Sequence, residues 1–102
     1  MRKGLPSIEE LSLRFLEQEI DLGLTVASIA AMEYTQERFG RGYDFQAHAE
    51  HSCAEAERRM EDAVARGWYV SHVFRDRLQK LRESLAVLKR QAFEQPPADG
   101  RT

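Results

Sequence analysis

The amino-acid sequence predicts an all-α protein, a three-helix antiparallel hairpin or bundle with a long first helix. Apolar residues recur at helical spacing through most of the chain, and serines and glycines punctuate those runs as helix starts and stops. No stretch alternates apolar with polar residues as a half-buried strand would. The expected helices lie near 8–39, 45–66 and 71–94, inside a domain over 7–95 that follows an arm at 1–6 and precedes a disordered tail at 96–102.

The first helix starts at Ser7, because Ser7 followed by Glu10 forms a capping box. The serine oxygen accepts the amide of the third helical residue, and the glutamate reaches back to the serine amide. Two apolar stripes run along it. Ile8, Leu11, Phe15, Leu22, Ile29 and Met32 recur at heptad-like spacing, with Leu13, Leu16, Ile20, Leu24, Ala27, Ala31 and Tyr34 beside them. Glycine after the last periodic residue is the usual left-handed helix stop, so Gly40 and Gly42 place the end near Phe39. Glycine costs ~1 kcal/mol inside a helix, which marks Asp21-Leu22-Gly23 as the place for a bend.

Asp44 is the expected cap of the second helix, whose face of Phe45, Ala49, Cys53, Ala56, Met60 and Val64 is mostly small and suits close packing. It ends at Arg66-Gly67. Ser71 caps a third helix with Val70, Phe74, Leu78, Leu81, Leu85, Leu88 and Ala92, a spacing near that of a coiled-coil seam. Pro96 and Pro97 stop it, and the residues after them carry too little apolar surface to fold.

A chain of 102 residues fits one domain, and one this small buries only ~60–68% of its unfolded surface. The wide apolar surface of the first helix exceeds what two shorter helices cover, so self-association is expected to complete the fold. The content of 42% hydrophobic and 31% charged residues is that of a folded chain. A net charge of −2 gives no global pull toward nucleic acid or anionic membrane. Locally the charge divides: residues 1–66 carry 8 basic against 13 acidic side chains, and residues 67–102 carry 7 against 4. The lone Cys53 cannot form an internal disulfide and fits a reducing compartment. No apolar leader precedes Glu9, and the apolar run Ile20–Met32 is short and contains Asp21. Together these predict a cytoplasmic protein.

The main chemical constellation is Asp44, His48, His51 and Glu55, which share about a 60° arc of the second helix. Imidazoles and carboxylates on one face are what a divalent transition metal site on a bundle needs, with His48, His51 and Glu55 as ligands and a second chain completing the shell. The competing reading is a solvated face of i,i+4 pairs worth a few tenths of a kcal/mol each. The Glu-x-x-His motif of inward-facing carboxylate sites is absent. Gly40-Arg41-Gly42 follows a helix rather than a strand and so is no phosphate loop. Cys53 lies on the apolar face, where a core thiol is expected rather than a nucleophile.

A long first helix followed by two shorter ones, with Arg82-Glu83-Ser84-Leu85 and Gln91 near the end, is similar to the intertwined dimeric chorismate mutases. That resemblance implies a dicarboxylate substrate held by cations from the middle of the long helix. This chain has no Lys or Arg between Arg14 and Arg38 to supply them. Arg75, Arg82 and Lys89 recur at seven-residue spacing with Arg77, Lys80 and Arg90 nearby, but Asp76 and Glu83 interrupt the positive track that nucleic acid requires. These cations are expected to meet the acidic first and second helices instead.

Ala27, Ala30, Ala31 and Tyr34, then a glycine-containing turn, then Ala47, His51 and Ala54 resemble a tetratricopeptide-type helical hairpin over residues 24–60. The resemblance implies protein binding without catalysis. Trp68 and Tyr69 in the second turn, and Tyr43 in the first, are expected to close the ends of the core. The sequence thus points to a non-enzymatic protein-interaction or oligomerising module with no small-molecule substrate. Its helix contacts are expected at Leu22, Val26, Ile29, Leu81, Leu85 and Leu88.

Overall fold

A computed structural model describes residues 4–94 of the chain as three helices in the order α1 (Ile8–Thr35), α2 (Phe39–Ala65) and α3 (His72–Glu94). The expected tail at 96–102 and the first residues of the arm lie outside the described residues. The cap at Ser7 forms as anticipated: the Glu10 amide donates to Ser7 Oγ at 3.1 Å, and the Ser7 amide donates to Glu10 Oε1 at 2.8 Å. α1 runs through Gly23 as one unbroken helix.

The first turn lies four residues earlier than the glycines suggest. α1 ends in a Schellman arrangement: the Arg38 amide donates to the Glu33 carbonyl and the Glu37 amide to the Tyr34 carbonyl. The left-handed residue is Glu37, at φ 62, rather than a glycine. Gly40 and Gly42 belong to the first turn of α2, and Asp44 lies within that helix instead of capping it. The second turn repeats the motif with the usual residue. The Trp68 amide donates to the Ala63 carbonyl, the Gly67 amide to the Val64 carbonyl, and Gly67 has φ 80. Ser71 Oγ then accepts the Val73 amide at 3.1 Å and opens α3.

Contacts along the helices establish an up-down-up bundle. Tyr34, Gly23 and Phe15 of α1 meet Gln46, Ser52 and Arg59 of α2 in descending order. Asp21 and Gly23 meet Arg77 and Leu81 of α3 in ascending order. The buried positions are heptad-spaced in α1, at Leu16, Ile20, Gly23, Ala27, Ala30 and Tyr34. In α2 they are Gly42, Ala49, Ser52, Cys53, Ala56, Met60 and Ala63. These small residues let the first two helices approach closely. Leu78, Leu81, Leu85 and Leu88 of α3 then seal the pair, each contributing about 1.5–3 kcal/mol by burial.

Two contacts show how close the approach is. A Cβ at Gly42 would lie 2.5 Å from the Tyr34 ring, and one at Gly23 would lie 2.6 Å from Leu81 and 3.3 Å from Ser52 Cβ. Tyr34 is itself only 1% exposed. Its hydroxyl donates to Gln46 Oε1 at 2.6 Å, and Gln46 Nε2 donates to Glu50 at 3.1 Å.

Candidate functional site

α1 has more apolar surface than the bundle uses. With ~100° per residue, the stripe begun by Ile8, Leu11 and Phe15 lies ~140° around the helix from the buried seam. It therefore faces away from both neighbours. Ile8 is 71% exposed, Phe15 47%, Leu22 52% and Met32 56%, while Ile29 is half-buried within the stripe and Val26 packs against the core beside it. The Arg59 guanidinium reaches across from α2 and sits 5.5 Å over the Phe15 ring. The run recurs on one face of α1 with Gln18 and Thr25 between its apolar members, unlike apolar residues scattered singly over a surface.

The six residues expected at helix contacts divide between two environments. Leu81, Leu85 and Leu88 are buried in the core, where they hold α3 onto the hairpin. Leu22 and Ile29 belong to the outward stripe, and Val26 packs against the core at its margin. The charges of α3 are partly engaged within the chain. Arg82 Nε meets Glu57 Oε2 at 2.7 Å, and Arg77 contacts Asp21 and lies 4.0 Å from Glu17. These pairs are substantially exposed, so each contributes on the order of 0–1 kcal/mol.

The histidine stripe lies on the outer face of α2, with His48 and His51 exposed and Glu55 half-buried. Arg58 hydrogen-bonds the Glu55 carboxylate and, with the charge of Arg59 adding, holds it below the usual carboxylate range. Asp62 pairs with Arg66 at 2.9 Å, and Asp44 is exposed. Among the described residues no three His, Cys, Asp or Glu side chains gather closely enough to hold a metal ion. Cys53 is buried in the core, and burial, with the nearby Glu57 carboxylate adding, pushes its thiol up. Such a thiol is a packing group with little thiolate character.

Of the two expected hairpin signatures, Ala27, Ala30 and Tyr34 are buried, whereas Ala47, His51 and Ala54 are exposed. Trp68 packs partly on the core beneath the Arg66 guanidinium, 5.2 Å from its ring, and Tyr69 is 75% exposed. Tyr43 is half-exposed and makes an edge contact with Tyr34 at 5.6 Å.

A charged cluster closes the same end of the hairpin. Glu33 is a buried carboxylate beside the end of the outward stripe, 3.5 Å from Arg38 Nη1 and 3.7 Å from Arg41 Nε. The three charges clamp the first turn. Their spacing of five and eight residues crosses a helix break, so it becomes visible only once the turn is located. No described helix is long and apolar enough to cross a membrane. Comparison of the chain with protein-family models, with curated proteins and with solved structures gives no match.

Proposed function

We propose that this chain is a non-enzymatic helical interaction module that assembles with protein through the outward stripe of α1. The observation that carries the reading is the repeat of Ile8, Phe15, Leu22 and Ile29 at seven-residue intervals on a face where Ile8, Phe15 and Leu22 stay about half-exposed or more and α2 reaches Phe15 through the Arg59 guanidinium. Burying half-exposed side chains of this size is favourable at ~25 cal/mol per Å² of apolar area, and a partner helix is the shape that fits a straight stripe. The small bundle behind it makes a rigid platform.

The test separates this stripe from the core. Leu22→Glu places a charge on a half-exposed position and is expected to leave helical content and unfolding temperature close to those of the wild type. Self-association, followed by sedimentation velocity across a concentration series, is expected to be lost in that variant. A wild-type protein that sediments as a monomer throughout, or a Leu22→Glu variant that associates as well as the wild type, would remove the stripe from assembly.

A further inference from the structure

Resting on that reading, we propose that the occupant of the stripe is α1 of a second copy of this chain, packed parallel and in register. The stripe reads as a complete heptad seam. Ile8, Phe15, Leu22 and Ile29 stand at one core position, and Leu11, Gln18, Thr25 and Met32 at the other. Its centre lies ~140° around α1 from the buried seam that packs in the bundle.

Orientation follows from where the polar residues stand. In a parallel pair like meets like: Gln18 faces the second copy's Gln18, two amides that can hydrogen-bond each other, and Thr25 faces Thr25. In an antiparallel pair each residue of the second set faces one of the first. Every residue of the first set is apolar, so Gln18 and Thr25 would face apolar side chains in any antiparallel register and lose hydrogen-bond partners.

The flanking charges agree. Parallel packing brings Arg14 of one copy to Glu19 of the other, twice by symmetry, and among the described residues neither has an ion-pair partner within the chain. Full-length antiparallel overlap instead sets Asp21 against Asp21 and Glu19 against Glu19. That arrangement is repulsive on both flanks.

The experiment is site-directed crosslinking of the full chain in a Cys53→Ala background, with circular dichroism confirming the fold. Gln18→Cys is expected to give a same-site disulfide dimer under equilibrating redox conditions, and a mixture of Ile8→Cys with Met32→Cys to give no mixed dimer. A second measurement does not depend on disulfide geometry. Arg14→Glu alone is expected to weaken the dimer about five-fold, and the swap Arg14→Glu with Glu19→Arg to restore it. A mixed Ile8→Cys and Met32→Cys product, or a swap that fails to restore, overturns the parallel register while the association read from Leu22→Glu stands. A wild-type chain that is monomeric by sedimentation overturns both.

Discussion

The inner and outer faces of α1 use the same helix in opposite ways. Toward α2 and α3 it presents Gly23, Ala27 and Ala30 among larger residues, and the fit is so close that single methyl groups are excluded. Away from them it presents Leu22 and Met32, both half-exposed, and Phe15, over which the Arg59 guanidinium sits. The inner face specifies this fold by shape, whereas the outer face offers apolar area broken by Gln18 and Thr25. Stability and assembly should therefore respond to different substitutions.

The largest expected effect is on the inner side. Leu81→Ala empties a fully buried position against Gly23 and should cost about 2–5 kcal/mol in urea denaturation. Gly42→Ala comes next, because the rigid, buried Tyr34 ring cannot yield to the added methyl. A loss of about 1–3 kcal/mol is expected, and an unchanged denaturation midpoint would show that the hairpin is less tightly fitted than described.

Tyr34 supplies a pH signature of the same contact. Burial, with the charges of Tyr43 and Glu50 adding, pushes its phenol up to about 12, against an ordinary value of 10.0. A folded-state value above the unfolded one means the contribution is complete below pH 10 and is lost as pH rises toward 12. Denaturation midpoints measured across that window should fall more steeply in the wild type than in Tyr34→Phe.

The smallest effect belongs to neither face. Glu37→Gly relieves a left-handed backbone conformation that disfavours side chains and should raise stability by about 0.5–1 kcal/mol without altering sedimentation. Should this variant instead lose stability, the turn is held by the Glu37 side chain rather than tolerated in spite of it.

Much of this was legible in the residues. The capping box at Ser7 and Glu10 and the serine at the head of α3 act locally, so spacing alone reveals them. The leucines of α3 were legible as well, since a single apolar stripe has only one way to face a core. The first turn is not legible in this way, because glycine has two uses. Gly67 supplies a left-handed conformation, but Gly42 supplies room for a tyrosine ring eight residues back, which only the packed pair displays. Glu37 carries the left-handed conformation without any compositional mark. For the candidate site, both stripes of α1 were visible, but which one faced inward was not. Leu22 and Ile29 stand apart from Leu81, Leu85 and Leu88, and Val26 joins their core, only once α2 and α3 are laid against the helix.

The shortness of the first turn also bears on the order in which the chain comes together. Tyr34 and Gly42 meet across a loop of few residues, so closing it costs little chain entropy, and each further layer of the α1 and α2 pair adds only a small increment. Leu81 must find Gly23 across the whole of the second helix, a far longer closure that becomes economical only when that helix is already folded back. The hairpin is thus the natural nucleus of folding and α3 the element that docks onto it, which leaves the outward stripe of α1 uncovered from the first step to the last.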